Sequence, residues 1–329
     1  MSPAAPMTPD TGPAQGVAPP MESGGCSSGS CNCGSPGYWM CDDQLFMPDR
    51  WFGGAEYLLL RPHQQTDEAF ETSPIGGSGA AVQTVNFESP YRSAVKTFLG
   101  WQSDCDHAWR FSYTYVFDDT QKSAAVPAGS VINSPLGASL SEGDSIVATQ
   151  HLLLNLWDIE NVRKLTMPDT ICNGCQGWDL RWSWGVRIID LDEKIKNEVT
   201  GPDAGVFTQE SSFVGAGPRF GFEMHRQLGC SGMSGFLAAN AALLLGGLST
   251  TGSDTPAGLA SAEIVPNFDI RVGLCWQPRP EMAITTGWMF ETFGNAINLN
   301  GAASVAAVPT PQTGNLSYDG LFVRGEFRF

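Results

Sequence analysis

The chain reads as all-β, and its strands as a transmembrane antiparallel up-and-down β-barrel of about 10 strands (8 to 12) behind a leader with no core of its own. Three observations predict this. In the terminal stretch, Leu321, Val323, Phe327 and Phe329 fall on one face of an extended strand and Arg324, Glu326 and Arg328 on the other. Trp109, Phe111, Tyr113, Tyr115 and Phe117 form an every-second-residue aromatic stripe, wasteful on a wetted surface but suited to lipid and its interfacial girdles. The connections between such runs also alternate between long and short, as a barrel with external loops and periplasmic turns requires.

Residues 1–49 are rich in Pro, Gly, Ser and Cys and hold almost nothing that could form a core, so they are expected to be a disordered leader before a barrel at 50–329. Residues 1–20 have neither a basic start nor an apolar core of the kind a secretory signal needs. The true start of an exported chain is therefore expected upstream.

From Trp51 the aromatic alternation begins. The first run, 51–70, sets Trp51, Ala55, Tyr57 and Leu59 against Glu56. The second, 82–102, sets Val95, Leu99 and Trp101 against Lys96 and Gly100. The third opposes its aromatic stripe to Arg110, Ser112, Thr114 and Val116. The fourth, 145–165, reads as a strand whose faces are blurred by Leu152, Leu153 and Leu154. The fifth sets Trp178, Leu180, Trp182, Trp184, Val186 and Ile188 against Asp179, Arg181, Ser183, Gly185 and Arg187. The sixth, 204–226, sets Val214, Ala216, Phe220, Phe222 and Met224 against Gly215, Gly217, Arg219, Gly221, Glu223 and His225; Pro218, lacking a ladder donor, predicts a local break or bulge.

The seventh run, 235–247, is rich in Ala and Leu and fits a strand or a short buried helix, and its neighbours favour the strand. The eighth sets Phe268, Ile270, Val272, Leu274 and Trp276 against Asn267, Asp269, Arg271 and Gly273. The ninth sets Met282, Ile284, Trp288 and Phe290 against Thr285, Gly287 and Glu291, and the tenth is the terminal strand. Long external loops are then expected at 71–81, 118–144, 248–262 and 293–315, with a short one at Gly201, Pro202 and Asp203. Inward turns fall at 103–106, 166–177, 227–234 and 278–280.

The net charge of −16 disfavours binding to nucleic acid or anionic lipid. A charged fraction of 16% is low, yet no run approaches the ~18 apolar residues of a spanning helix. A barrel reconciles the two, because lumenal residues dilute its apolar ones. Cys105, Cys172, Cys175 and Cys230 fall in inferred periplasmic turns, Cys275 near the same end of its strand, and Cys26, Cys31, Cys33 and Cys41 in the leader. Cys172 and Cys175 form a candidate disulfide, as a clip in their turn or paired with another turn or the leader. Leader cysteines fit disulfides, or a flexible tail whose thiols have no fixed role, better than zinc, because Cys31 and Cys33 lack the C-x-x-C bite, and the total of 9 leaves at least one thiol free or paired between chains.

The opening Trp51-Phe52-Gly53-Gly54-Ala55-Glu56-Tyr57-Leu58-Leu59-Leu60-Arg61-Pro62, the block Gly217-Pro218-Arg219-Phe220-Gly221 and the ending from Tyr318 to Phe329 resemble the Legionella-type pore-forming outer-membrane proteins, a family also abundant in planctomycete bacteria. The resemblance covers roughly Trp51 to Phe329 and implies a pore-forming barrel in the bacterial outer membrane.

On this reading the candidate pore-lining residues are Glu56, Lys96, Arg110, Asp179, Arg181, Arg187, Arg219, Glu223, Asp269, Arg271, Glu291, Arg324 and Glu326. They either form a charged constriction that filters solutes by sign or pair across a narrow lumen and fill it. The candidate lipid-facing residues are Trp109, Phe111, Tyr113, Tyr115, Phe117, Trp178, Trp182, Trp184, Phe220, Phe222, Trp276, Trp288 and Phe290. Phe327 and Phe329 are the expected barrel-closing signal for the outer-membrane assembly machinery. The expected partners are the lipid bilayer, that machinery and small solutes.

No cofactor, metal site or enzymatic activity is expected: no nucleotide loop, EF-hand or H-E-x-x-H motif occurs, and no catalytic spacing is legible around His63, His107, His151 or His225. The leading expectation is a passive pore for ions or small hydrophilic solutes. The alternatives are a structural or surface-display barrel with a plugged lumen, and a soluble secreted β-sandwich that binds a ligand.

Overall fold

The computed structural model describes residues 50–64, 68–75, 82–104, 107–165, 178–202, 204–228, 232–253, 255–279, 281–298 and 313–329. The leader, the long turn at 166–177 and every cysteine except Cys275 lie outside them. Fourteen strands are present: β1 (Arg50–Gln64), β2 (Glu68–Pro74), β3 (Gln83–Asn86), β4 (Arg92–Asp104), β5 (His107–Ala125), β6 (Ser130–Asn133), β7 (Ser139–Leu140), β8 (Ser145–Leu165), β9 (Trp178–Thr200), β10 (Gly205–Gln227), β11 (Met233–Gly252), β12 (Thr255–Arg279), β13 (Met282–Asn298) and β14 (Thr313–Arg328).

Ten of these close an antiparallel barrel in the order β1-β14-β13-β12-β11-β10-β9-β8-β5-β4, with β4 returning to β1. The up-and-down topology expected from the alternation is the one found. The seam joins the two ends of the chain. Phe52 faces Arg328 and Gln64 faces Leu316, and the rim is locked by Trp51 N–H to Phe329 C=O (3.1 Å) and Phe329 N–H to Trp51 C=O (2.9 Å).

Three corrections concern where the barrel strands begin and end. The first two runs are each split: β1 stops at Gln64 and β4 starts at Arg92, while β2 and β3 leave the barrel. The stretch read as one long loop at 118–144 carries the end of β5, then β6 and β7. Together β3-β2-β6-β7 form a separate four-stranded sheet. That sheet has its own core, in which Phe70, Phe87, Ile132 and Leu140 pack with Ile146 and Ala148 of β8 and Val199 of β9. The supposed long loop at 248–262 is instead a tight hairpin, because β11 runs to Gly252 and β12 begins at Thr255.

Strand length explains these differences. β9, β10 and β12 have 23, 23 and 25 residues, whereas about 9–11 tilted residues cross a bilayer. The ladder therefore continues well past any lipid band, and its continuation lacks the aromatic stripe that marks strands in the sequence. At this far end the ring opens. β12 pairs β13 only from Asn267 downwards, although its pairing with β11 runs on to Thr255.

Pro218 produces no bulge. Its β9 partners run in register from Gly217↔Arg187 through Arg219↔Gly185, and the β11 register is the same on both sides of it. Among the β11 partners only Gly217 and Pro218 are skipped, so the missing N–H costs local pairing without an inserted residue. A register shift does occur in β13, between Phe293 and Ile297, where Asn295 takes a left-handed conformation (φ 57°). Asn tolerates that region better than most residues.

Several inner-face glycines allow strands to approach closely. A Cβ on Gly185 would lie 1.9 Å from the Ile159 carbonyl oxygen, whereas one on Gly247 would meet nothing within 4 Å. Gly185→Ala should lower unfolding free energy by about 1–3 kcal/mol through overpacking. Gly247→Ala should change it by less than ~0.5 kcal/mol. Urea unfolding from detergent-folded protein separates the two.

Candidate functional site

Closing the ring places one side-chain parity of every barrel strand inside. Glu56, Arg181, Arg187, Arg219, Asp269, Glu291 and Glu326 are buried there, and Lys96, Arg110, Asp179, Glu223, Arg271 and Arg324 point the same way with intermediate exposure. All thirteen candidates for the lumen thus lie on the inner parity. On the outer parity Trp109, Phe111, Tyr115, Phe117, Trp184, Phe220, Phe222, Trp276, Trp288 and Phe290 are exposed, as are Phe327 and Phe329. Tyr113 and Trp182 are half-buried, with the Tyr113 hydroxyl donating to Asn155 Oδ1 at 2.8 Å. The Trp178 side chain lies outside the described residues.

The inner charges form a network with a clear centre. The Arg187 guanidinium, 1% exposed, donates to both carboxylate oxygens of Asp158 (2.6 and 2.9 Å) and to Glu291 Oε1 (2.8 Å), bonds Asn267 Oδ1, and lies 3.6 Å from Asp269. Such a bidentate, charge-assisted geometry suits a fixed guanidinium. Arg219 pairs with Glu160 and lies 3.8 Å from both Asp158 and Asp269. Arg110 also donates to Glu160, at 2.6 Å. Nearer the rim that carries the chain ends, Arg271 donates to Glu56 at 2.8 Å, and Arg324 and Arg328 converge on Glu326.

Asp158 and Glu160 are the residues that sequence reasoning missed. They belong to the fourth run, where Leu152, Leu153 and Leu154 hid the alternation. In the structure Leu152, Leu154 and Leu156 continue the inner parity of Asp158 and Glu160, so the apolar inner face is what misled. Counting back from the exposed Ile159 would have placed both carboxylates.

Beyond the charged belt, towards the far end, the lumen is apolar. Leu58, Leu60, Leu154, Leu156, Ile189, Leu191, Phe213, Leu244, Val265, Met289, Phe293 and Leu316 belong to one buried cluster, with Leu58, Ile189, Phe213, Leu244, Val265, Phe293 and Leu316 at 0% exposure. Past its bulge, β13 supplies Ala296 and Ile297 to the same cluster. β13 and β10, which are not neighbours in the ring, approach within 8 Å (Cα–Cα). On the other side of the charged belt a cavity of about 100 Å³ remains, lined by Lys96, Arg271, Arg324, Phe98, Phe236 and Phe322 among others.

Beyond the apolar layer, Gln150 donates to Glu193 at 2.8 Å, and the four-stranded sheet follows. In that sheet Glu68 is held above its usual pKa by burial and, secondarily, by Glu71. Among the described residues no group of three or more His, Cys, Asp or Glu is placed to hold a metal, and no helix is long and apolar enough to cross a membrane.

Residues 171–329 match the family described as Legionella pneumophila major outer membrane protein precursor. Those residues are just under half of the chain, and over them it is similar to this outer membrane protein family. No curated protein matches it. Among solved structures it is similar to the outer membrane protease OmpT from Escherichia coli, at 8% identity over 86% of this chain and 98% of that one, with a TM-score of 0.52. This likeness shows the barrel fold. Other structural neighbours are the Pseudomonas aeruginosa outer membrane protein OprG (8% identity, 88% and 99% covered, TM-score 0.26) and the Pseudomonas putida toluene transporter TodX (8%, 86% and 90%, TM-score 0.33). The family and the barrel together place the protein in the bacterial outer membrane.

Removing Arg187 would leave Asp158 and Glu291 buried with fewer counter-charges. Arg187→Gln should therefore cost about 3–5 kcal/mol. Adding Asp158→Asn should recover at least ~1 kcal/mol, because the two side chains touch and their effects cannot be additive. Denaturant unfolding of the two single variants and the double variant measures that coupling.

Proposed function

We propose that this outer-membrane barrel is closed to ions and solutes in the state described here and acts as a structural, surface-projecting barrel. The observation that carries this reading is the apolar layer across the lumen. Seven of its side chains have no accessible surface, and Ala296 and Ile297 at the end of β13 add to them. A wetted pathway needs polar lining throughout or a constriction wide enough for water, and this layer offers neither. The charged belt supports the same reading, because its carboxylates and guanidinium groups are taken up by one another. Passive conduction is the second reading, favoured by the charged residues that line the open cavity at the rim carrying the chain ends. The reading is non-catalytic, since the likeness to OmpT at 8% identity carries the fold and no chemistry.

The exposed aromatic and aliphatic ring is read as the lipid contact. On β5 it runs from Trp109 to Phe117, about 27 Å along the strand at ~3.4 Å per residue. At a tilt of ~40° that is about 20 Å along the axis, close to the ~25 Å apolar band of such barrels. Trp51, Trp101 and Trp109 sit in register across β1, β4 and β5, and Trp184 lies 6.5 Å from Trp109, so tryptophans gather at the rim with the chain ends. On β9 the large exposed apolar residues end at Ile188, and the outer face continues with Asp192, Lys194 and Glu198. That charged continuation is the projecting wall, with the chain-end rim on the periplasmic side.

Two measurements test these assignments. Single-channel recordings of the full chain in planar bilayers should show no steady current, and Phe213→Ala combined with Phe293→Ala should produce discrete steps; steady current from the unaltered protein would replace this reading with the passive pore. Phe111→Arg should weaken folding into lipid vesicles by about 2–4 kcal/mol, while Asp192→Arg, outward-facing on the wall above, should change it by less than ~0.5 kcal/mol. Equal effects would contradict the assigned band.

A further inference from the structure

The cavity at the chain-end rim combines features that the closed-lumen reading leaves unused. Glu56 of β1 sits in register between Lys96 of β4 and Arg324 of β14, so two cations flank it along the wall. A third, Arg271, reaches it from β12. Lys96 is mostly buried, yet its ammonium group is 3.9 Å from Asp158 and makes no hydrogen bond among the described residues. In a protein of net charge −16, the cavity lining sets seven Lys and Arg side chains against only three carboxylates, Glu56, Glu223 and Glu326. Arg324 and Arg271 also share Glu326 and Asp269, at 2.5 and 3.5 Å, which leaves Lys96 as the cation with the poorest partner.

Apolar rings surround the same space. The Arg324 guanidinium lies 4.2 Å from the Phe98 ring centroid and that of Arg271 lies 5.9 Å from Phe322. Phe236 meets Phe322 edge-on at 6.0 Å and stacks on His225 at 5.8 Å. His225 spends one ring nitrogen on Glu223 and leaves Nδ1 buried without a hydrogen-bond partner among the described residues. Cations over ring faces orient both partners and keep the aromatic surfaces partly bare of water. A concave, largely apolar site with a few convergent polar groups is the usual form of a small-molecule pocket.

We propose that this cavity binds a small carboxylate with a flat apolar body, its carboxylate beside Lys96 and Arg324 and its body against Phe98, Phe236 and Phe322. The charge argument selects an anion, because an additional cation would crowd Lys96, Arg271 and Arg324. The ring walls select an organic anion over an inorganic one, whose hydration they could not replace. The cavity volume of about 100 Å³ selects a single-ring or short-chain body. The inference does not rest on the closed lumen, since a conducting barrel would carry the same site on its pathway, and binding is read without current.

The test is calorimetric titration of the full chain in detergent micelles with benzoate, benzyl alcohol, benzylamine and inorganic phosphate, each corrected against protein-free micelles. Benzoate should bind saturably at one site per chain, at least tenfold more tightly than the other three. Lys96→Gln and Arg324→Gln should each weaken it at least fivefold, with folding of each variant checked by its heat-modifiable gel mobility. Lys164→Gln, altering a cation that does not line the cavity, should leave binding unchanged and serves as the folded control. Absence of saturable benzoate binding to folded protein would overturn the proposal, as would equal binding of benzyl alcohol or benzylamine. Phosphate binding as tightly as benzoate would overturn the apolar half of the site, and unchanged affinity in Lys96→Gln would remove the charged half.

Discussion

Lipid supplies no hydrogen-bond partners, so within the apolar band every backbone N–H and C=O must be met by the sheet itself, and only a closed ring does this. The rest of the architecture follows from that constraint. The last strand must pair with the first, which is why Phe329 and Trp51 exchange backbone hydrogen bonds at the rim. Above the band water can serve the backbone, and there the ring parts: β12 loses β13 beyond Asn267 while it keeps β11. What continues is a wall of β8 to β12 with the end of β5, and the small sheet β3-β2-β6-β7 packs its own core against the inner side of that wall.

Closure also decides the interior. Strict alternation sends every second residue of ten strands into one narrow cross-section, so their charges meet whether or not they are neighbours in sequence. Arg187 is held by carboxylates from β8 and β13 and lies near another from β12. A guanidinium so enclosed is tolerable only because its counter-charges are equally enclosed; loss of either side is costly while the pair as a whole contributes little net stability. The acidity of the chain therefore has to be carried largely elsewhere, and Asp192, Glu198, Glu210 and Glu263 of the projecting wall are part of it.

The sequence is legible where lipid imposes its pattern and obscure where it does not. The aromatic stripe of β5, the tryptophan-rich start of β9 and the alternation of β14 all lie in the exposed apolar band, and their faces could be assigned from residue spacing alone. The far halves of β11 and β12 have Gly, Ser, Thr and Ala in place of aromatics, so a hairpin of long strands looked like a loop at 248–262. β2, β3, β6 and β7 are 7, 4, 4 and 2 residues long, too short for a periodic signal, and the two hairpins they form are joined by the non-consecutive pair β2 and β6. In β8 the inner face itself turns apolar at Leu152, Leu154 and Leu156. Hydrophobicity there marks the inside, opposite to its meaning lower on the same strand, and the Asp158 and Glu160 carboxylates were lost with it.

That inversion separates two environments along one lumen. The charged belt lies towards the rim that carries the chain ends, level with the exposed aromatics, and the apolar layer caps it on the far side. A cap of this kind keeps water from reaching the network from the far end, which strengthens each ion pair in it and fixes the guanidinium groups in place. The same cap leaves the network open on one side only, at the cavity walled by Phe98, Phe236 and Phe322. Charges that are rigid, partly desolvated and accessible from a single direction are arranged as a recognition surface is. A conduit would need the same charges to be hydrated from both ends. The apolar layer thus does more than fill the barrel: it determines from which side, and by what chemistry, the inner charges can be approached.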